Sequence, residues 1–267
     1  MSERLWLYGQ FVAVSLKSQM QYRASFLLSA VGQFLANGIE IVGIWALFER
    51  FGSLSPWTLP QVALFYGVVH CAFAIADALS TGFDQFSSHI KTGEFDRLLL
   101  RPRGTVLQLM GQELALRRVG RLAQGLMVLV WAIWALDVQW GWFQLSLLGF
   151  TLLGGVCLFV GLIVIQATIA FWTTETLELM NTMTYGGVET AQYPIAIYQP
   201  ALRRFLTLVV PLACVTYFPL VALLDIQDPL GTSRIFQQVA PVAGLLFLWG
   251  ALQFWKVGVK HYTSTGS

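Results

Sequence analysis

Long apolar runs constrain this chain more than anything else in it. They lie at about 26–48, 61–80, 120–137, 145–172, 203–224 and 239–257. A helix needs roughly 20 predominantly apolar residues to cross a bilayer. The runs FLLSAVGQFLANGIEIVGIWALF and QVALFYGVVHCAFAIADALS reach that length. Charged residues make up 11% of the chain, against about 25% in an ordinary soluble domain. So little polar surface cannot cover that much apolar surface in water. The expected fold is an all-α integral membrane protein with six transmembrane helices. Run 145–172 is long enough to tilt or to project beyond the hydrocarbon layer.

Lysines and arginines set the expected orientation, because cytoplasmic loops carry their excess. Arg4, Lys17 and Arg23 precede the first run. Lys91, Arg97, Arg101, Arg103, Arg117, Arg118 and Arg121 lie between the second and third. Arg203 and Arg204 open the fifth, and Lys256 and Lys260 close the sixth. The other side keeps only Arg50 and Arg234. Both termini are therefore expected in the cytoplasm. Trp45, Trp57, Trp140 and Trp142 suit an outer aromatic belt, and Trp172 and Trp255 an inner one. The expected organisation is an amphipathic interfacial helix over 1–25, a six-span domain over 26–260 and a short tail over 261–267. Leu5, Trp6, Phe11, Val12 and Leu16 give the first segment its apolar side; a loose tail is the other reading. It is not a cleavable signal peptide, which needs a compact apolar run and a small-residue cleavage site.

Several chemistries find no support. No GxxxxGK[ST] loop is present to cradle phosphates, and no HExxH or CxxC pair to hold a metal. The chain is expected to bind no cofactor or metal itself and to have no catalytic residues. Cys71, Cys157 and Cys214 each lie in or beside an apolar run and read as small core residues. The basic residues follow topology, so nucleic acid is not an expected partner.

One segment stands apart. TGEFDRLLLRPRG, residues 92–104, is charged and helix-like, yet lies between two apolar runs. Phe83, Phe86, Ile90, Phe95, Leu98 and Leu99 approximate one helical face, with Asp84, Lys91, Glu94, Asp96 and Arg97 on the rest. Gly93 divides the segment and Pro102 ends it. The residues alone leave two readings: an anchor for the loop 83–118, or a docking element.

Gly93-Glu94-Phe95-Asp96-Arg97-Leu98-Leu99-Leu100-Arg101-Pro102 resembles the charged "G-x-apolar-D-x-L-L-x-R-P" signature of permeases in type-2 ATP-binding-cassette exporters, in particular their uncharacterised permease branch. The resemblance extends to the basic N-terminal segment, the six spans and the proline-punctuated region Tyr193-Pro194, Tyr198, Pro200, Arg203, Pro211 and Tyr217-Phe218-Pro219. It implies that Gly93, Glu94, Asp96, Arg97, Leu98, Leu99, Arg101 and Pro102 form a coupling helix that docks on a separate cytoplasmic ATPase. Leu98 and Leu99 would fill an apolar pocket and the charges would line its rim. It further implies ATP and Mg on that partner, a second permease chain (identical or sister), two ATPase copies, membrane lipid around the assembly, and a bacterial-type plasma membrane. By the same resemblance, Pro211, Tyr217, Phe218 and Pro219 would belong to an outer gate over 217–230. A simple kinked helix is the other reading.

Polar residues inside the apolar runs are costly and usually face protein or water. Gln33, Asn37 and Glu40 share one face of the first run, and His70 and Asp77 one face of the second. At about 1.5 Å per residue, Glu40 matches His70 in depth and Gln33 matches Asp77. The expectation is a polar seam between these spans, acting as a structural clasp, a pathway lining or a proton relay. The relay would make the chain a proton-coupled secondary transporter, the rival to the exporter reading. Glu175, Glu178 and Glu189 read as a polar stretch on the cytoplasmic side. The cargo is not legible, although so apolar a chain hints at a lipophilic or amphipathic one.

Overall fold

The protein is described by a computed structural model. It describes residues 23–52, 57–84, 86–112, 119–173 and 177–263. The expected interfacial helix over 1–25 therefore lies almost wholly outside the described residues, as do Arg117, Arg118, Glu175 and the last part of the tail. Every regular element among the described residues is helical.

Two long helices come first, α1 (Arg23–Phe51) and α2 (Leu59–Leu79). Helix α2 starts where Pro60 suits a first turn, and the Thr58 amide donates to the Gln61 side chain. A cluster of short helices follows: α3 (Thr81–Asp84), α4 (Phe86–Lys91), α5 (Glu94–Leu99) and α6 (Thr105–Gln112). The chain then runs through α7 (Val119–Ala135) and α8 (Trp142–Ile169). After α9 (Leu177–Ala191) come α10 (Pro200–Leu208), α11 (Leu212–Val215), α12 (Tyr217–Leu223), α13 (Arg234–Val239) and α14 (Val242–His261).

Four helices, α1, α2, α8 and α14, are long and apolar enough to cross a membrane, or five if the bent pair Pro200–Leu208 and Leu212–Leu223 is one span. Helix α7 is a shorter apolar helix. Each of the six expected runs contains helix, but only four or five qualify as spans: the fifth run is bent at Pro211 and the third is shorter than the rest.

Helix α2 is the centre of the bundle. It is buried on nearly every side from Val62 to Ala74 and packs against α7, α8 and α9. Helix α1 rests on α7 and leaves Leu28, Leu35, Ile39 and Trp45 exposed. Helix α14 lies along α8. There the backbones nearly touch, since a Cβ on Gly244 would sit 2.1 Å from the Gly154 carbonyl oxygen. Only glycine permits that approach.

Two tryptophans assigned to the aromatic belts are interior instead. Trp57 is 1% exposed and packs on Phe65 and Tyr217; Trp255 is 2% exposed. Each has aromatic neighbours that bury more of its ring than an interface would. Trp142, by contrast, is fully outside the packing.

Candidate functional site

The segment singled out by its charge folds as α5, a helix too short to be stable alone. Gly93 precedes it in the left-handed conformation, φ 70°, which glycine adopts without steric penalty. His89 Nδ1 lies 2.6 Å from Glu94 Oε2 across that turn. At the other end the Gln108 side-chain amide donates to the Leu98 carbonyl at 3.1 Å and to the Arg103 carbonyl at 2.9 Å. It ties both sides of Pro102 to α6 and satisfies a helix-end carbonyl.

The apolar side of α5 is locked inward. Phe95 is fully buried, with Phe86 at 5.1 Å, Phe171 at 5.5 Å and Tyr262 at 4.9 Å between ring centroids. Trp255 closes the block, 4.8 Å from Phe86 and 5.3 Å from Phe171, and donates its indole N–H to Thr105 Oγ1 at 2.9 Å. The rings come from the loop, from just past the end of α8, and from the last turns of α14 and the residue after it. Helix α5 is therefore packed against the ends of two long helices. Of the six residues placed on one apolar face, Phe83, Phe86, Ile90, Phe95 and Leu98 are buried.

The outward side of α5 differs from expectation in one respect. Leu98, expected to enter a partner's pocket with Leu99, is 4% exposed and belongs to the chain's own core. Leu99 and Leu100 are instead the exposed pair, at 41% and 86%. The helical turn that points Phe95 inward brings Leu98 to the same side. Glu94, Arg97, Arg101, Pro102 and Arg103 are exposed around the two leucines, while Asp96 is half-buried.

The polar seam is built from four helices. Glu40 Oε2 lies 3.8 Å from His70 Nε2, so the matched-depth pair does meet. Beyond Gln33, Asn37, Glu40, His70 and Asp77, the sequence reading had placed nothing in this seam. In fact Tyr66 Oη donates towards Glu40 Oε2 at 3.3 Å and the Asn37 carbonyl at 3.2 Å. Gln124 of α7 donates to Tyr66 Oη at 2.8 Å and to the Asn37 carbonyl at 3.3 Å. Helix α9 adds Glu189 and leads into Gln192, whose Oε1 is 3.1 Å from His70 Nε2 and whose amide donates to Glu189 Oε2 at 3.0 Å. The Tyr66 and His70 rings stack at 3.9 Å. Arg121 places its guanidinium 5.0 Å over the Phe73 ring. The lower expected pair shares no such environment: Gln33 is exposed on α1, whereas Asp77 is buried on α2.

The Gln192–His70 contact also revises where residues 184–203 run. His70 is midway along α2, and Tyr198 Oη donates back to the Thr190 carbonyl while Arg203 donates to the Tyr198 carbonyl. This stretch, with Glu189, Arg203 and Arg204, was expected with the loop 83–118 beyond the end of the bundle. It instead climbs beside α2, because Thr184, Glu189 and Gln192 find polar partners inside the bundle.

At Pro211 the chain turns sharply, and the helices on either side differ by 70°. Pro211 makes this break, since it lacks an N–H to continue α10. Pro219, expected to begin a turn, lies instead in the first turn of α12, where that missing N–H costs nothing. Tyr217 and Phe218 are buried; Phe218 packs 5.0 Å from Phe236 of α13. The hairpin between α12 and α13 is tied by Asp228, which the sequence reading passed over. Its carboxylate accepts from Tyr217 Oη at 2.8 Å, the Leu230 amide at 3.0 Å, the Thr232 amide at 3.1 Å and the Thr232 hydroxyl. Burial opposes its ionisation, but these donors outweigh burial and hold its carboxyl below the usual value. The signal was Asp228-Pro229-Leu230-Gly231, an Asx-turn composition with Gly231 at φ 70°.

A bundle of long apolar helices with a buried polar centre and a charged loop helix at one end defines a multi-pass membrane protein. The ABC-2 family transporter protein model matches residues 34–266. The chain therefore belongs to that family and is a membrane permease component of ABC transport. No curated protein and no solved structure shows a significant match.

Proposed function

We propose that this chain forms half of the translocation pathway of an ATP-driven exporter and takes its power from a separate cytoplasmic ATPase. In this reading the chain crosses a bacterial-type plasma membrane six times with both termini in the cytoplasm, and a second permease chain completes the pathway. ATP and Mg belong to two copies of the ATPase, and this chain performs no hydrolysis. Helix α5 is the coupling element. One observation carries this reading: α5 exposes Leu99 and Leu100 within a rim of Glu94, Arg97, Arg101 and Arg103, while Phe95 and Leu98 lock it to the bundle. An apolar pair inside a charged rim suits an interface hot spot. The rigid attachment behind it suits transmission of movement. The Asp228-tied hairpin supports an outer gate, because it is an ordered unit set off by the Pro211 bend.

The test is co-purification from native membranes in mild detergent. The wild-type chain is expected to retain a cassette ATPase, and a Leu99→Asp, Leu100→Asp variant to lose most of it. The reading fails if no ATPase co-purifies, or if the double variant retains it undiminished.

A further inference from the structure

Two carboxylates reach the surface of the bundle at the depth of its middle. Glu40 lies near the centre of α1 and its side chain is 34% exposed. Glu189, on α9, is exposed. Both are drawn to the same point on α2. Glu40 Oε2 lies 3.8 Å from His70 Nε2, and Gln192 joins Glu189 to that nitrogen through contacts of 3.0 and 3.1 Å. Helices α1 and α9 are not packed along each other, so the two carboxylates approach His70 from separate helices and stay open to whatever surrounds the bundle. No arginine or lysine among the described residues pairs with either of them. Arg121, one turn before Gln124 on α7, places its guanidinium over Phe73 instead. A charge exposed at this depth to acyl chains alone is costly, so the pair calls for a partner.

The hydrogen bonds say what kind of partner. Gln192 turns its amide to Glu189 and its Oε1 to His70, so His70 Nε2 is the donor in that contact. Gln124 directs its amide to the Asn37 carbonyl and Tyr66 Oη. The Tyr66 hydroxyl faces Glu40 and the same carbonyl. Each of these donors is engaged. The acceptors are not: His70 Nδ1 and Gln124 Oε1 are buried without a partner among the described residues, on side chains only 2% exposed. Both belong to groups around Tyr66, since the His70 ring stacks on the Tyr66 ring and the Gln124 amide lies 2.8 Å from its hydroxyl. Leaving a buried acceptor unpaired is costly. The centre is thus short of donors and of positive charge together. An alkylammonium group supplies both, with three N–H donors, no acceptor and one positive charge. With Arg121 it balances the two carboxylates. The surface beside Glu40 on α1 exposes Leu35, Ile39 and Val42, which suits an apolar body attached to that ammonium.

We propose that Glu40 and Glu189, with Tyr66, His70, Gln124 and Gln192 behind them, bind the ammonium group of an amphipathic amine. The carboxylates hold the charge, and the apolar body lies along the bare face of α1. Binding is ionic and hydrogen-bonded, and no covalent bond changes. Helix α1 is the wall that yields to let the ammonium reach the buried acceptors, because it rests mainly on α7. The inference names the cargo class of the pathway proposed above and rests on that reading. The site is nevertheless tested on the permease alone, whereas ATPase co-purification tests the exporter reading, so the failure of one is distinct from the failure of the other.

The test is equilibrium binding of radiolabelled dodecylammonium to the full-length chain in phosphatidylcholine nanodiscs at neutral pH, with empty nanodiscs subtracted. The expected result is saturable binding that unlabelled dodecylammonium displaces and that dodecanol and dodecyl sulfate do not. Glu40→Gln and Glu189→Gln keep the side-chain shape, and circular dichroism checks their helix content. Each should weaken binding by about tenfold or more, as the loss of one charge-assisted hydrogen bond does. Glu49→Gln, at the exposed end of α1, should leave it unchanged. Phosphatidylethanolamine added to the discs separates two sources of the amine: displacement of the probe assigns the site to a lipid headgroup, and no displacement to a free amphiphile, and either supports the site. Binding that does not saturate, displacement by dodecanol as effective as by dodecylammonium, or undiminished affinity in either folded glutamate variant overturns the proposal. Should a variant lose helix, the displacement pattern of the wild type decides by itself.

Discussion

Trp255 offers the most direct test of whether α5 is held from behind. Trp255→Ala removes a ring that is 2% exposed and touches Phe83, Phe86, Phe95 and Phe171. Truncating a buried Trp to Ala costs about 3–5 kcal/mol. Losing the bond to Thr105 adds about 1 kcal/mol. The loss falls mainly on the loop, because α8 and α14 also hold each other along their length, whereas α5 has few other anchors. A loss of about 3 kcal/mol corresponds to roughly a hundredfold rise in local opening. Hydrogen exchange of the amides of Glu94–Leu99 reads this directly. Exchange there should accelerate by about two orders of magnitude in Trp255→Ala, and the middle of α8 should stay near wild type. Trp255→Phe, which keeps one aromatic ring but loses the hydrogen bond and part of the ring volume, should accelerate it less than Trp255→Ala does. If Trp255→Ala leaves α5 exchange unchanged, the aromatic block is not what holds the helix, and force transmission through it is refuted.

Two further perturbations follow from the geometry. Gly244→Ala places a Cβ 2.1 Å from the Gly154 carbonyl oxygen, so α8 and α14 must part by about 1 Å; overpacking of this kind costs about 1–3 kcal/mol, and thermal melts in detergent should show a clear fall in Tm, whereas Gly250→Ala, with open space around it, should not. Asp228→Asn should loosen the hairpin between α12 and α13, read as faster exchange at Leu230 and Thr232. Because the folded carboxyl is held below the usual Asp value near 3.9, its contribution is complete above that pH and disappears as pH falls through the lower, folded value; Asp228→Asn should remove this acid sensitivity.

Much of this arrangement was legible where one helix suffices to determine it. Periodicity places Phe83, Phe86, Ile90, Phe95, Leu98 and Leu99 on one side, where all but Leu99 are buried, and a fixed rise per residue sets Glu40 opposite His70. What escaped depends on the return of distant segments. Gln192 is 122 positions from His70, and no local pattern says that α9 climbs beside α2 and does not stay with the loop. Leu98 was assigned outward because a leucine pair beside arginines looks like a docking motif; the ring block that claims it comes from residues 171 and 255, far along the chain. Trp255 looked like a belt residue for the same reason. Pro211 was expected to kink its span and Pro219 to begin a turn; the first does bend the chain, whereas the second sits in a first turn, where a proline breaks no bond.

The charged loop and the polar centre meet on α2. Its far end leads through α3 and α4 into the ring block that holds α5, and its middle carries Tyr66 and His70. Buried against α7, α8 and α9, α2 has little freedom to shift without carrying Gln124 and Gln192 with it. Close-packed interiors transmit displacement because they deform little. A movement imposed at α5 should therefore change the Glu40–His70 distance only where α1, a more loosely packed member, fails to follow α2. Helix α1 rests mainly on α7, with polar contacts to α2, and most of its apolar surface is bare of protein. The Glu40–His70 contact thus spans the part of the bundle where relative motion is cheapest.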